Sequence, residues 1–212
     1  VPVLPEQFDA NPWLLNCANG TIDLRTGELR AHERGDLLTC LAPVAYEPNA
    51  PCEQWEKFLY EIQDVDRNAA AADRMVNFIQ RALGYALTGS TKEQCLFILW
   101  GGGANGKSTL LNAVKEVLGN YAINTPTETL LAKNRTGDIP TDVARLDGPR
   151  FVMAKEIDKG RRLAESLVKE LTGQDTVSAR FLYGEYFDFV PQFKLFLSTN
   201  NKPVIRGADN AI

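Results

Sequence analysis

The stretch from Gly101 to Thr109 limits the possible folds of this 212-residue chain more than any other. It has the spacing G-x-x-x-x-G-K-S. In such a loop the glycines let the backbone turn sharply and point its N–H groups at phosphates, the lysine adds positive charge, and the serine hydroxyl binds Mg²⁺. We therefore expect the following residues to bind a nucleotide: Gly101, Gly102, Gly103, Ala104, Asn105, Gly106, Lys107, Ser108 and Thr109.

The segments on both sides of this motif have the patterns that a phosphate-binding loop requires. Cys95–Trp100 is a nearly continuous apolar run, which is typical of a strand buried on both faces. From Leu110 to Val117 apolar residues recur at helical spacing, and Gly119 ends that pattern. A glycine-rich turn without a ligand is the alternative, and the match of both flanks argues against it.

Composition and charge exclude several other classes of protein. The net charge is −4, which excludes a uniformly basic nucleic-acid-binding surface but allows a local basic strip. The four cysteines include no C-x-x-C pair and His32 is the single histidine, so we expect neither a zinc site nor a disulfide framework. No signal peptide or membrane-length apolar run is present, which predicts a cytoplasmic protein without a membrane partner.

Residues 1–90 are predicted to form a small domain of their own. Asn19-Gly20 between two apolar runs predicts a β-hairpin, and Thr26-Gly27 predicts a second turn. The spacing of apolar residues predicts a helix over 55–62 and a second one that begins after Asn68 and ends near residue 88. The apolar stripe of the second helix consists of Met75, Phe78, Ile79, Ala82, Leu83 and Leu87. We expect the aromatic side chains of both helices to lie in the core rather than to stack on a ligand.

From residue 91 to 212 strands and helices alternate, which predicts a mostly parallel, layered α/β domain. Further strands are expected at 151–154 and 193–198, a helix over Arg161–Leu171, and a hairpin within 176–190. Shorter features are expected between them: helices at Thr127–Leu131 and Asp142–Leu146, and an exposed segment at Lys133–Gly137.

Polar residues follow two of these strands, where an open α/β sheet binds its ligands. Glu156 comes directly after the strand at 151–154, and we expect it to bind Mg²⁺ or to activate a water molecule, with Asp158 as a second candidate. Asn200 follows the last strand and is expected to contact the γ-phosphate or that water. The alternatives are a solvated carboxylate and an ordinary Asx turn. The predicted catalytic set is Lys107, Glu156 and Asn200, and the predicted metal ligands are Ser108, Glu156 and Asp158.

Two other classes of phosphate-loop protein fit the sequence less well. A GTPase reads guanine with N-K-x-D, and the segment Asn201–Val204 has valine in place of the aspartate. A small-molecule kinase uses an arginine-rich lid, whereas residues 133–150 contain only scattered arginines. An ATPase that performs mechanical work is therefore favoured.

Together with the loop, three further motifs in the same order resemble those of superfamily 3 helicases. They are Arg150–Glu156 (R-F-V-M-A-K-E), Lys169–Arg180 (K-E-L-T-G-Q-D-T-V-S-A-R) and Lys194–Asn200 (K-L-F-L-S-T-N). The likeness is closest to the phage and plasmid primase-helicase family and extends to poxvirus primase-helicases. Residues 13–90 resemble the small domain that precedes the helicase in that family.

The resemblance implies an AAA+ type ATPase that uses ATP and Mg²⁺, assembles as a hexameric ring and moves along single-stranded DNA. By position, Lys107 and Ser108 match the nucleotide-binding motif, Glu156 the acidic member of the second motif, and Asn200 the sensor asparagine. Many relatives have a second acid next to the first, and here Ile157 stands there, which leaves the role of Asp158 open.

The segment Lys169–Pro191 matches the motif whose hairpin faces DNA in the channel of the ring. Lys169, Arg180 and Tyr183 are therefore the predicted DNA-contacting residues, through phosphate contacts and base stacking. The alternative is that the aromatic side chains fill the core and Arg180 is merely exposed.

One departure from the family pattern concerns an arginine pair that reaches the ATP of the neighbouring subunit. In that family the arginine pair follows the sensor strand. In this chain Arg206 comes before the position expected for the pair, so the resemblance implies a fragment that lacks the arginine finger, the end of the ATPase core and any primase domain. Two functions stay open: an ATP-dependent DNA helicase of a phage, prophage or plasmid in a bacterial cell, and a nucleotide-binding assembly or loading module that does not unwind DNA.

Overall fold

The computed structural model describes residues 3–63, 68–132 and 141–206. The predicted exposed segment Lys133–Gly137 lies outside these ranges, as do the last residues, 207–212. Within the described ranges, no helix is both long enough and apolar enough to cross a bilayer.

The N-terminal part begins with an antiparallel sheet, as its turn sequences predict. Its strands are β1 (Leu14–Cys17), β2 (Gly20–Asp23) and β3 (Glu28–Arg30), in that order across the sheet. A Cβ atom on Gly20 would lie 2.3 Å from the carbonyl oxygen of Arg30, so the close approach of β3 requires glycine there.

Two helices follow, α1 (Glu53–Ile62) and α2 (Ala69–Leu87), close to their predicted bounds. The Asn68 side chain accepts a hydrogen bond from the Ala71 N–H at 3.0 Å, and this N-cap explains where α2 begins.

The expected burial of the α2 apolar stripe is wrong for its first residues. Met75 and Phe78 are exposed, whereas Ala72, Ala82 and Ala86 are buried. The helix faces the core with these alanines and with Leu83 and Leu87, which pack against the hydrophobic cluster that contains Ala86.

The larger sheet has four parallel strands, β4 (Leu96–Trp100), β5 (Ala122–Asn124), β6 (Phe151–Lys155) and β9 (Lys194–Thr199). Their order across the sheet is β4-β9-β6-β5, which confirms the predicted parallel α/β architecture. Helix α3 (Lys107–Leu118) follows β4, and an antiparallel hairpin of β7 (Val177–Arg180) and β8 (Tyr186–Phe189) precedes β9. Short helices are α4 (Thr141–Ala144), α5 (Glu165–Thr172) and 3₁₀ turns at Pro5–Gln7, Arg34–Asp36, Gly119–Tyr121 and Thr127–Leu130.

Alternate residues of the central strands β6 and β9 point to two different hydrophobic clusters. On one face Phe151 and Phe196 pack with Leu111 of α3 and with Leu15 and Ile22 of the N-terminal sheet. The other face packs against α4, α5 and β7 through Val152, Ala154, Leu195 and Leu197. Residues from both sides of the predicted boundary at residue 90 therefore share one cluster.

The structure corrects two further expectations. In the described part of the chain β4 lies at the edge of its sheet rather than inside it, and Ile98 and Trp100 are 38% and 55% exposed. The helix expected from Arg161 begins only at Glu165, because Arg162 and Leu163 form β-bridges to Val204 and Leu131. These bridges hold the segment before α5 in an extended conformation.

Candidate functional site

Three chain turns meet at the carboxyl ends of β4, β6 and β9. The strands run parallel with Trp100 opposite Thr199 and Lys155 opposite Ser198, so the residues that follow each strand become neighbours. They are the glycine loop (residues 101–106), Glu156 and Asn200. The predicted catalytic residues Lys107, Glu156 and Asn200, together with residues 103–109, line one cavity of about 300 Å³.

The glycine loop has left-handed backbone conformations at two positions. Gly106 has a φ of +78°, which glycine readily adopts, and Ala104, two residues earlier, has a φ of +56°, which is unusual for a residue with a side chain. A Cβ atom on Gly106 would lie 2.3 Å from Cγ2 of Ile62, so the end of α1 packs directly on this part of the loop. Steric contact and backbone conformation both require glycine at this position.

Lys107 is the first residue of α3, and its ammonium group lies in the middle of the site. Four oxygens lie within hydrogen-bond distance of its Nζ, which can donate to three of them at a time. They are the carbonyl oxygens of Gly101 and Gly102 at 2.9 Å, Oδ1 of Asn105 at 2.8 Å and Oδ1 of Asn200 at 3.1 Å. The positive charge and the N-terminus of α3 thus face the same cavity, which is the arrangement that favours anions.

Glu156 brings a negative charge to the opposite side of the cavity. It adopts a left-handed φ of +63°, its N–H donates to the Ser198 carbonyl at 2.8 Å, and its Oε2 accepts from the Asn200 amide at 3.5 Å. Asn200 therefore contacts both Lys107 and Glu156, and the exposed carboxylate remains accessible from the cavity.

The oxygen ligands at this site fit Mg²⁺, although the predicted set is only partly brought together. The Ser108 hydroxyl and the Glu156 carboxylate line the cavity, and such hard oxygen ligands suit this ion. Asp158 is exposed and is not among the described residues that line the cavity, so the structure does not bring this predicted ligand to the site.

The predicted DNA-contacting residues lie away from the cavity, on and before the β7–β8 hairpin. Arg180 ends β7, and its guanidinium carbon lies 5.0 Å from the centroid of the Tyr186 ring. Tyr183 lies in the turn with a φ of +62° and is 98% exposed, so it is not a core residue. Lys169 lies in α5 and is half-buried.

Several contacts at the site were not predicted from the sequence. The buried Thr199 hydroxyl and the Asn201 amide join the turn after β6 to the turn after β9. Lys202 places its Nζ 4.0 Å from the centroid of the Trp100 ring, beside the glycine loop. The only sequence signal for these residues is their position at or just after the end of a strand, which does not reveal their partners.

At the opposite ends of the same strands lie two buried cations. Arg150 donates to the Leu87 carbonyl at 2.8 Å and to the Asn11 carbonyl at 3.2 Å, and Lys194 donates to carbonyls at the end of α2 and just after it. Burial lowers the pKa of both, and burial followed by repulsion from Arg150 lowers the pKa of Lys194 to about 7. They attach the sheet to the N-terminal part of the chain rather than serving the cavity.

The sequence profile of a family of unknown function, DUF5906, matches residues 99–211, which is more than half of the chain. The chain belongs to this family. The matched part includes the glycine loop, Glu156 and Asn200, so the whole cavity wall lies within DUF5906. A second profile, described as D5 N terminal like, matches residues 1–64.

Relatives of this DUF5906 chain come from large DNA viruses of eukaryotes. A protein of Acanthamoeba polyphaga mimivirus with a provisional helicase name, L207/L206, is 29% identical over 99% of this chain and 22% of its own length. The fowlpox virus protein named Primase D5 is 29% identical over 97% of this chain and 27% of its own length. The chain thus spans about a quarter or less of these relatives, whose names support the predicted likeness to viral primase-helicases.

Among solved structures, the apo structure of the NrS-1 C-terminal region has a similar fold. Its TM-score is 0.53 at 14% identity, and the match covers 86% of this chain and 48% of that one. At 14% identity the similarity concerns the fold alone.

Proposed function

We propose that this chain is the ATP-hydrolysing part of a replicative primase-helicase, with a core of the superfamily 3, AAA+ type. The observation that carries the proposal is the meeting of Lys107, Glu156 and Asn200 around one cavity above the glycine loop. The helicase and primase names of the viral relatives point to DNA replication as the process. A phage or plasmid origin remains a prediction, since these relatives come from viruses of eukaryotes.

The arrangement of charges matches what hydrolysis of a nucleoside triphosphate needs. Backbone N–H groups of the loop and of the start of α3 bind the phosphate oxygens, and the Lys107 ammonium exchanges loop carbonyls for phosphate oxygens. Ser108 and Glu156 would hold Mg²⁺, which would neutralise charge on the triphosphate. Glu156 and Asn200 orient a water molecule, and Glu156 accepts a proton from it as its oxygen bonds to the γ-phosphorus and the bond to ADP breaks, which leaves ADP and phosphate as products.

DNA binding is assigned to the exposed tip of the β7–β8 hairpin. Phe181, Leu182 and Tyr183 are exposed there, next to the guanidinium group of Arg180. Exposed aromatic rings beside a cation are the combination that binds single strands through stacking and phosphate contacts. On a chain with a net charge of −4, such a local site is the kind of DNA contact that remains available.

A nucleotide-gated assembly or loading module is the second candidate function. The cations that line the cavity favour it. Among the described residues, Lys107 is the only cation that lines the cavity. In other NTPases a further arginine raises the rate by about 10³–10⁵-fold, so a ring neighbour is needed for fast turnover. ATP turnover with and without single-stranded DNA separates a motor from a module that only binds nucleotide.

Calorimetry of Mg-ATP binding tests the site itself. We expect Lys107→Ala to weaken binding by about 10- to 100-fold, because a charge-assisted hydrogen bond to phosphate is lost. Lys115→Ala, in the last turn of the same helix, is the control and should bind ATP as the wild type does. Equal affinity of the wild type and Lys107→Ala would show that the nucleotide does not bind here.

A further inference from the structure

The strained turn that carries Glu156 is attached to the end of β9 on both sides of that residue. The N–H of Glu156 donates to the Ser198 carbonyl at 2.8 Å, and the N–H of Ile157 donates to the Thr199 hydroxyl at 3.2 Å. The Ile157 carbonyl accepts from the Asn201 amide at 3.0 Å. A non-glycine residue in the left-handed region persists only where its surroundings hold it, and these bonds supply that restraint.

The Thr199 hydroxyl is the centre of this network. It accepts from the N–H groups of Ile157 and Asn201, at 3.2 and 3.1 Å, and donates to the Asn201 carbonyl at 2.9 Å. One donor and two acceptor sites are all that a hydroxyl has, so its capacity is fully used. Thr199 is fully buried, and the bonds therefore do not compete with water.

We infer that Thr199, assisted by Asn201, is a positioning residue that holds the Glu156 carboxylate and the Asn200 amide in register across the cavity. The inference rests on the proposed ATP hydrolysis and goes beyond it by assigning a function to residues that do not line the cavity. The hydroxyl closes a turn around Asn200 and also holds the residue after Glu156, so a single group sets the distance between the two reacting side chains.

Loss of the hydroxyl should affect the chemical step more than nucleotide binding. Without it, the Ile157 and Asn201 N–H groups lose their acceptor, and we expect the Glu156 turn to relax from its left-handed conformation toward the extended region. Lys107 keeps its bonds to the glycine loop and loses at most its bond to Asn200, so ATP affinity should fall much less than the rate. Misplacing a reacting group by about 1 Å lowers rates by up to about 100-fold, and we expect a 10- to 100-fold loss in the maximal rate.

Thr199→Val removes the hydroxyl at nearly constant shape, and Thr199→Ser keeps it. Thr125→Val is the matched control, because Thr125 is also buried and its hydroxyl has no hydrogen-bond partner among the described residues. Single-turnover ATP hydrolysis and ATP affinity are measured for each variant of the 212-residue chain, and again for Thr199→Val combined with Glu156→Gln. A crystal structure of Thr199→Val reports the backbone conformation of Glu156 directly.

We expect Thr199→Val to hydrolyse ATP 10- to 100-fold more slowly than the wild type. Thr199→Ser should hydrolyse ATP at nearly the wild-type rate, and Thr125→Val at the wild-type rate. In the Glu156→Gln background Thr199→Val should lower the rate by a clearly smaller factor, since part of the effect of the hydroxyl passes through that carboxylate. An equal loss in both backgrounds would overturn the inference, as would a normal rate in Thr199→Val. If the wild type binds ATP without turnover, the proposed hydrolysis fails by itself. The crystal structure of Thr199→Val then decides the role of Thr199. A left-handed conformation kept at Glu156 would overturn the positioning role, and a relaxed conformation there would support it.

Discussion

Replacing Lys194 with methionine tests how strongly a buried charge opposes folding in this protein. Lys194 begins β9 and is only 2% exposed. Its Nζ donates to the carbonyls of Thr88, Ser90 and Gln192 and lies 4.8 Å from the centroid of the Tyr85 ring. These contacts favour the ammonium form, but burial and then Arg150 oppose it, and the pKa is lowered from 10.5 to about 7.

This pKa difference makes stability depend on pH in a defined window. Between pH 7 and 10.5 the unfolded chain keeps the proton on Lys194 while the folded chain releases it, so the free energy of unfolding rises with pH. Below this window both states are protonated, and above it both are neutral. A difference of about 3.5 pKa units corresponds to about 5 kcal/mol over the whole window, and to about 2 kcal/mol between pH 7 and 9.

Urea unfolding at pH 7, 8 and 9 measures this effect, with Lys194→Met as the comparison. The wild type should gain about 2 kcal/mol relative to the variant over this range, and groups common to both proteins cancel. The absolute stability of the variant is not the test, because methionine leaves three carbonyls without a donor. Parallel pH profiles for the two proteins would refute the reasoning that Lys194 carries the buried charge.

Three further predictions concern the loop, the hairpin and a helix cap. Gly106→Ala should lower the free energy of unfolding, measured by thermal denaturation, by about 2 kcal/mol more than Gly148→Ala does. Both glycines have positive φ, but only Gly106 has no space for a Cβ atom. Equal losses of stability in the two variants would contradict the contact between the loop and α1. Fluorescence anisotropy measures how steeply the affinity for single-stranded DNA falls with salt, as the slope of log affinity against log salt concentration. Arg180→Ala should reduce the magnitude of this slope by about 0.7, whereas Arg74→Ala in α2 should leave it unchanged. The hairpin assignment fails if Arg180→Ala keeps the wild-type slope. Asn68→Ala should cost about 1 kcal/mol in urea unfolding through loss of the N-cap, and no change would mean that the cap does not stabilise α2.

The elements that the sequence predicts correctly are those with local signals. Asn19-Gly20 marks the first hairpin, Asn68 caps α2, and the glycine loop separates β4 from α3. The convergence of Glu156 and Asn200 on the loop also follows from a local rule, because the carboxyl ends of parallel strands meet at one edge of the sheet.

The features that the sequence does not reveal depend on partners far away in the chain. The exposure of Trp100 depends on which strand pairs with β4, and the late start of α5 depends on bridges to residues 131 and 204. The Thr199 network joins two strand ends that are separated by about forty residues, which no periodicity encodes. Asp158 is predicted to be a metal ligand because it lies two residues after Glu156, but it is not among the described residues that line the cavity.

A crystal structure of the chain with Mg²⁺ and a slowly hydrolysed ATP analogue tests the central claim most directly. We expect the phosphates to lie over residues 102–108, with the Lys107 ammonium moved from the carbonyls of Gly101 and Gly102 to phosphate oxygens and with Glu156 and Asn200 facing the γ-phosphate. A nucleotide bound elsewhere, with Lys107 still hydrogen-bonded to its own loop, would contradict the assignment of this cavity as the ATP site.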